Sequence, residues 1–284
     1  MAKISGPVEV SERVNELLAR MTLEEKIAQL QACYIYELQT KGVLAENKVE
    51  ARLRNGIGQI TRIGGASTYT PRQAAQIYNH LQHFLIDKTR LAIPAINHEE
   101  CCVGLMAPCG TIFPQIIGLA STFQPELARE MTSVIRQQML AIGARQGLAP
   151  VLDVARDPRW GRIEETFGED PTLVSQFGMA YVQGLQGDDL RQGVMATGKH
   201  FIGHSFSQGG LNCGPVPLGW HDLWETAMAP FEAAIREAGM ATIMNAYPEL
   251  DGEVVAASRQ ILTDLLREQL GFDGLVVSDY DAVI

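Results

Sequence analysis

Short apolar runs alternate with amphipathic helical segments along most of this sequence, and this alternation constrains the fold more than any other feature. Each run has the length of a buried strand, and polar side chains follow it. Such an alternation predicts a parallel sheet whose right-handed crossovers either close it into a barrel or wind it doubly. The predicted strands cover residues 57–63, 94–97, 148–151, 194–197, 241–244 and 275–277.

The polar side chains at the strand ends favour the barrel. They follow one strand after another instead of clustering at one point. A (β/α)8 barrel collects such groups on one face, whereas an open sheet concentrates them where the strand order reverses. We therefore expect an α/β fold of the (β/α)8, TIM-type barrel class. The polar strand ends are His98–Glu100, Asp153, Lys199–His200, Asn245 and Asp279.

The barrel is expected to follow a helical lead-in. Residues 1–56 show apolar side chains at helical spacing and a capping box, Thr22 to Glu25, which typically opens a helix. The βα repeats are predicted over residues 57–284. Residues 1–284 are thus predicted to form one domain.

Composition excludes several classes of partner. The formal net charge of −10 argues against nucleic acid and anionic membranes. No apolar run reaches transmembrane length, and Met1–Gly6 lacks the apolar core of a signal peptide, so we expect a cytoplasmic protein with no membrane contact. The five cysteines form no recognisable disulfide framework or zinc-ligand spacing, and no GxGxxG motif follows a strand. No metal and no cofactor are therefore expected.

A charge-dense segment follows the third predicted strand. Residues 155–170 carry several arginines and carboxylates around Trp160. A long loop after a barrel strand is where an element that shapes a substrate pocket belongs. We interpret most charges of this segment as a solvated, salt-bridged surface. Arg162 is the exception, and we expect it to belong to the pocket.

Several stretches together resemble the barrel domain of the glycoside hydrolase family 3 enzymes, in the branch of β-glucosidases and β-xylosidases. The motifs occur in the family's order along nearly the whole chain, and as a set they are highly specific. They are Thr111–Gln115, the Arg159-Trp160-Gly161-Arg162 run within residues 150–171, Lys199-His200-Phe201, and Gly274–Tyr280 with its Ser278-Asp279-Tyr280.

The resemblance implies hydrolysis of terminal non-reducing β-D-glycosyl residues by a retaining mechanism, with a small β-glycoside or oligosaccharide as ligand. It assigns the nucleophile to Asp279 and substrate binding to Glu100, Arg162, Lys199, His200, Met244 and Tyr247. These residue types suit a sugar, because vicinal hydroxyls need both a carboxylate acceptor and cationic donors. We further expect the neighbouring cations to hold the pKa of Asp279 low. Asp153 is interpreted as ordering its own loop.

The resemblance also implies a missing part. In the branch concerned, the acid/base glutamate lies in a later α/β sandwich domain, so a complementary C-terminal domain or second chain is expected. The resemblance also implies that residues 1–284 are the catalytic domain and form a barrel truncated before its last strand and helix. Homo-oligomer formation stays open. Two departures, Val103 and Leu211, replace polar groups that relatives carry near the pocket rim. His204 resembles a residue of the β-N-acetylglucosaminidase branch, but the Asp-Ser-His element of that branch is absent, so we interpret it as structural or rim-lining.

Three alternatives remain open from the sequence. The chain could be a non-catalytic or inactive barrel fragment that binds sugar or a complementary chain. Lys199 at a strand end could instead form a Schiff base, as in an aldolase. The β-N-acetylglucosaminidase activity implied by His204 is the third.

Overall fold

The computed structural model describes residues 7–283, and the chain divides into two compact units between His98 and Glu99. The helices are α1 (Pro7–Arg20), α2 (Leu23–Gln29), α3 (Glu46–Leu53), α4 (Pro71–Lys88), α5 (Ile116–Ala120), α6 (Pro125–Ala141), α7 (Pro171–Gln186), α8 (Trp220–Asp222) and α9 (Ala229–Arg236). The strands are β1 (Ala32–Tyr34), β2 (Gln39–Thr40), β3 (Val43–Leu44), β4 (Gln59–Thr61), β5 (Ile96–Glu99), β6 (Gln146–Gly147), β7 (Met195–Phe201), β8 (Thr242–Asn245), β9 (Glu249–Leu250), β10 (Glu253–Val254) and β11 (Leu275–Val277).

Shorter helical segments complete the backbone. Leu223–Met228 and Gln260–Gln269 are π-helical, and the first of these segments connects α8 to α9. Single 3₁₀ turns lie at Ile35–Leu38, Ile163–Glu165, Leu190–Gln192, His204–Phe206, Gln208–Gly210 and Val255–Ala257. Among residues 7–283, none of the helices combines the length and the apolar character that crossing a membrane requires. The signal-peptide prediction concerns Met1–Gly6, which lie outside the described residues.

The first unit adds short strands to the helical lead-in predicted over residues 1–56. The β1 strand pairs in parallel with β4, with Cys33 opposite Ile60, and β4 pairs in parallel with β5. The β2 and β3 strands form a small antiparallel pair. A three-residue strand is too short to produce a recognisable sequence period, which is why β1 escapes prediction. The predicted Thr22 capping box is present, and the Thr22 hydroxyl accepts from the Glu25 backbone N–H.

The second unit contains a run of parallel strands. The β6 strand pairs with β7, β7 with β8, and β8 with β11, all in parallel. This arrangement confirms the α/β fold with parallel strands. It also sends the carboxyl ends of β7, β8 and β11 to the same edge, where Lys199, His200 and Asp279 are found.

The strand predicted over residues 148–151 differs from the observed one. The β6 strand is Gln146–Gly147, and Val151 makes only an isolated bridge to Lys199. Pro150 has no N–H to donate, so a regular ladder cannot continue through it. The irregular segment nevertheless stays beside β7, because the Leu152 N–H donates to the Lys199 carbonyl oxygen at 2.6 Å.

Aromatic packing anchors the loop that precedes α7. Phe167 stacks on Phe177 with ring centroids 5.5 Å apart and meets Tyr181 edge-on at 6.4 Å. Asp170 caps α7 by accepting the Leu173 N–H at 2.8 Å. All three rings are buried, so the charged loop over residues 155–170 is fixed on the helix behind it.

Candidate active site

Lys199 and Glu100 form an ion pair at the end of β7. The Lys199 Nζ lies 3.1 Å from Glu100 Oε2, and the lysine side chain is only 5% exposed. Burial lowers the pKa of Lys199, but the Glu100 carboxylate more than offsets that effect, so the net shift is upward. Lys199 is therefore a permanently charged donor whose partner is the predicted acceptor.

His200 is held by the buried carboxylate of Asp153. Asp153 Oδ2 accepts the His200 backbone N–H at 3.1 Å and lies 2.8 Å from His200 Nδ1. Asp153 thus orients the imidazole, a role that the sequence analysis did not assign to it. Burial lowers the pKa of His200 well below its usual value, with Arg162 and Lys199 adding to the effect. A neutral ring that donates from Nδ1 leaves Nε2 as an acceptor.

Arg162 is paired within its own loop. Its Nε and Nη2 donate to the two carboxylate oxygens of Glu165, each at 2.8 Å. Burial raises the pKa of Glu165, but this bidentate pairing outweighs it and the net shift is downward. Glu165, which the sequence analysis did not assign to the site, is thus the carboxylate partner of Arg162. The i,i+3 spacing of Arg162 and Glu165 at the 3₁₀ turn was the signal available in the sequence.

Asp279 lies two residues beyond β11 and is 6% exposed. Its Oδ1 accepts the Tyr280 N–H at 2.7 Å, and its Oδ2 lies 3.6 Å from His200 Nε2. Burial raises the pKa of Asp279; the Tyr280 N–H, Tyr247, Lys199 and Arg162 lower it but do not outweigh burial. The prediction of a depressed pKa was wrong, because the desolvation of a nearly buried carboxylate exceeds the field of its cationic neighbours.

Met244 lies within β8, and Tyr247 lies two residues beyond its end. The Tyr247 hydroxyl donates to the Tyr280 carbonyl oxygen at 2.7 Å, which ties the segment after β8 to the segment after β11. Met244 is 2% exposed and lies opposite Val277 in the strand register. The structure thus places Tyr247 beside Asp279 and Met244 in the packed strand, where contact with a ligand stays a prediction.

His204 is fully buried, so of its two interpretations, structural or rim-lining, the structural one fits. Its ring lies 4.7 Å from the His200 ring and 5.4 Å, edge-on, from the buried Trp160. Neither ring nitrogen has a hydrogen-bond partner among the described residues. Burial lowers the pKa of His204 to about 4, so the ring is neutral at physiological pH. It contributes a packed wall behind His200.

These side chains form a cluster of donors and acceptors of the kind that a neutral, hydroxyl-rich ligand can bind. Lys199 supplies ammonium donors, Glu100 and Asp279 supply carboxylate oxygens, and His200 supplies a neutral acceptor. Within residues 7–283, no group of three or more His, Cys, Asp or Glu side chains is arranged to hold a metal ion. All five cysteines are free thiols.

Several known proteins are similar to this chain in sequence and in fold. The chain is 34% identical over 278 residues to a putative β-xylosidase of Formosa agariphila, a match that covers 95% of this chain and 36% of that protein. It is 34% identical to a probable β-glucosidase C of Aspergillus oryzae, covering 96% of this chain and 46% of the relative. A solved β-glucosidase structure from Erythrobacter marinus superposes with a TM-score of 0.85 at 33% identity, covering 95% of this chain and 36% of that one.

Two facts follow from these comparisons. The chain spans between about a third and a half of the length of these relatives. Residues 22–284 match the family model described as the glycosyl hydrolase family 3 N terminal domain. The chain therefore belongs to glycosyl hydrolase family 3, as a member that matches the family's N-terminal domain.

Proposed function

We propose that this chain carries the sugar-binding pocket and the nucleophile of a retaining β-glycosidase. The observation that carries the proposal is the position of the Asp279 carboxylate. It lies 3.6 Å from the neutral acceptor of His200, in a buried pocket that also holds the Lys199–Glu100 ion pair. Retaining glycosidases need such a carboxylate at the face of the sugar opposite the leaving group.

The chemistry proceeds in two displacements. An Asp279 oxygen attacks the anomeric carbon, the bond to the leaving-group oxygen breaks, and that oxygen takes the bonding electron pair and a proton from a general acid. Water then attacks the covalent glycosyl–Asp279 intermediate, transfers a proton to the conjugate base, and releases the sugar with its original anomeric configuration. We propose that the acid/base group lies outside residues 1–284.

The pocket residues divide the work of holding the sugar. The Lys199 ammonium donates to hydroxyl oxygens, and the Glu100 carboxylate accepts from the same or a neighbouring hydroxyl. His200 Nε2 accepts another hydroxyl hydrogen, and Asp153 keeps the ring in the required tautomer and orientation. Arg162, paired with Glu165, contributes a positive field that helps to keep Asp279 ionised.

We propose terminal non-reducing β-D-glucosyl and β-D-xylosyl residues as substrates. The relatives named above are a β-xylosidase and β-glucosidases, and the two sugars share the ring hydroxyls that the pocket would bind. We also propose that the parallel strands belong to a (β/α)8 barrel and that an α/β sandwich domain accompanies it. Residues beyond this chain would complete the barrel and form the sandwich domain, in keeping with the greater length of the relatives.

The aldolase alternative is disfavoured by the ion pair at Lys199. A Schiff-base lysine must lose its proton to attack a carbonyl, whereas Glu100 holds the pKa of Lys199 above its ordinary value. The β-N-acetylglucosaminidase alternative has no support from His204, because a fully buried imidazole cannot protonate a leaving group in solvent reach.

The proposal is tested by the stereochemistry of the first product. Because the second displacement needs the acid/base group, the chain is tested joined to the complementary domain proposed above. It is incubated with 2,4-dinitrophenyl β-glucoside or β-xyloside, whose leaving groups need no protonation, and proton NMR follows the anomer that forms before mutarotation. We expect the β anomer from the parent chain and no turnover from Asp279→Asn. An α anomer first, or no hydrolysis of either activated substrate, would refute the proposal and favour a non-catalytic barrel.

A further inference from the structure

Two exposed tryptophans lie one turn apart at the start of the segment that leads into α9. Trp220 is 46% exposed and Trp224 is 37% exposed, although indoles are highly buried on average. Residues four positions apart share one face of a helix, and both side chains line the same surface cleft. The two indoles therefore present a joint apolar surface, and neither belongs to the group around Asp279.

Polar side chains border this surface on both sides. A cleft of about 210 Å³ lies between the two tryptophans and the amides of Gln260 and Gln269. A second cleft of about 90 Å³, on the other side of Trp220, is bordered by Gln260, Asp251 and Glu253. Among the described residues, the indole N–H groups of the two tryptophans and the side-chain amides of the two glutamines make no hydrogen bond. These donors and acceptors are therefore available to a ligand.

The chemistry of the lining selects the ligand. No lysine or arginine of the described chain lines either cleft, and two carboxylates border the smaller one, which disfavours phosphates and acidic peptides. A wholly apolar partner would bury the Gln260 and Gln269 amides without hydrogen bonds, at a cost in free energy. A ligand with apolar faces and hydroxyl edges satisfies both requirements, because its faces pack on the indoles while its hydroxyls pair with amides and carboxylates.

We propose that Trp220 and Trp224, with Gln260, form a surface binding site for a neutral β-linked oligosaccharide or polysaccharide chain. The site is a shallow platform, since its clefts are smaller than the pockets that enclose a drug-sized ligand. The identity of the saccharide to be tested rests on the proposed function. Binding at this site requires no hydrolysis, so the binding proposal and the proposed glycosidase function can be refuted independently of each other.

Affinity electrophoresis in native gels that contain barley β-glucan or xylan tests the proposal. We expect at least one polymer to retard the parent chain, and the Trp220→Ala/Trp224→Ala variant to bind that polymer about tenfold more weakly. Phe123→Ala removes another exposed aromatic, 74% exposed, and should migrate as the parent does. Lys199→Ala alters only the pocket around Asp279, so it should still be retarded, because the tryptophan platform binds the polymer without that pocket. Melting curves by circular dichroism establish that each variant is folded.

Single substitutions keep the test decisive if the double variant does not fold. Trp220→Ala and Gln260→Ala are both at exposed positions, and each should weaken retardation severalfold. The proposal is overturned if neither polymer retards the parent, or if the tryptophan variants are retarded as strongly as the parent. The second result is the one expected of a face that binds protein instead of sugar. Loss of all retardation in Lys199→Ala would likewise overturn it, because the pocket would then account for the binding.

Discussion

His200 Nε2 and Asp279 Oδ2 face each other at 3.6 Å, and in the neutral tautomer of His200 both atoms are acceptors. Two acceptors at this separation gain nothing from each other, and both are buried. A sugar hydroxyl placed between them would donate to one and present its oxygen to the other groups of the pocket. The two acceptors are therefore placed to share a hydroxyl group of a bound ligand.

The first prediction concerns Asp153, which orients His200. Asp153→Asn replaces the charged acceptor at His200 Nδ1 with a neutral amide, so the ring is free to adopt the other tautomer. We expect kcat/KM for an activated aryl glycoside to fall by about tenfold to 100-fold. Asp157→Asn, a substitution at the half-buried carboxylate that pairs with Arg159 in the same loop, should leave it unchanged. Equal kinetics for both variants would contradict an orienting role.

The second prediction compares the two members of the Lys199–Glu100 pair. Lys199→Met removes the charge and leaves the Glu100 carboxylate without its cation, whereas Glu100→Gln keeps an oxygen that Lys199 can use. We expect Lys199→Met to lower the free energy of unfolding by about 1–3 kcal/mol and Glu100→Gln to lower it less. Both should raise KM, as initial rates will measure. A Lys199→Met variant with unchanged KM would contradict contact between Lys199 and the sugar.

The third prediction concerns the acid side of the pH profile. Hydrolysis needs Asp279 ionised, and burial places the pKa of Asp279 above its usual value, so activity should be lost at a higher pH than for an exposed aspartate. Arg162 is one of the groups that lower this pKa. Arg162→Met should therefore raise it further and move the acid limb of kcat/KM to higher pH.

The matched control for that profile is Arg159→Met. Arg159 belongs to the same loop but is exposed and paired with Asp157, so its removal should leave the acid limb in place. The profile is measured with a 2,4-dinitrophenyl glycoside, so that protonation of the leaving group does not contribute. If the acid limb of kcat/KM in the Arg162→Met variant stays in place or moves to lower pH, the field of Arg162 does not act on Asp279.

The fourth prediction tests the packing of α7 on α6, which supports the loop that carries Arg162. A Cβ at Gly184 would lie 2.0 Å from Thr132 Oγ1 and 2.4 Å from the Arg129 carbonyl oxygen. Gly184→Ala should therefore lower the free energy of unfolding by about 1–3 kcal/mol in chemical denaturation. Gly118→Ala, on α5 with open space around it, should be neutral or stabilise by up to about 1 kcal/mol. Equal effects of the two substitutions would contradict the close helix contact.

Much of the fold and several site positions follow from local sequence patterns. Lys199–His200 and Asp279 end apolar runs, and the carboxyl ends of parallel strands meet on one face, so their proximity could be anticipated without knowing any distance. The β1 strand could not be anticipated in the same way, because three residues give no period. Pro150 explains why the strand predicted around it is displaced.

The partners of the site residues were harder to predict. Asp153 and His200 are 47 positions apart, and only the bridge between Val151 and Lys199 brings them together. Glu165 resembles any other loop carboxylate until its bidentate contact with Arg162 is seen. The pKa of Asp279 depends on the balance between burial and nearby cations, and a sequence reveals the cations but not the extent of burial.

The central claim, that Asp279 is the nucleophile, is tested most directly by trapping the covalent intermediate. A 2-deoxy-2-fluoro β-glucoside or β-xyloside with a 2,4-dinitrophenyl leaving group forms the glycosyl-enzyme and slows its hydrolysis. After proteolysis and mass spectrometry, we predict a single 2-fluoroglycosyl label on the peptide that contains Asp279, and none in Asp279→Asn. A label on Glu100, Asp153 or Glu165, or a labelled Asp279→Asn variant, would contradict the claim.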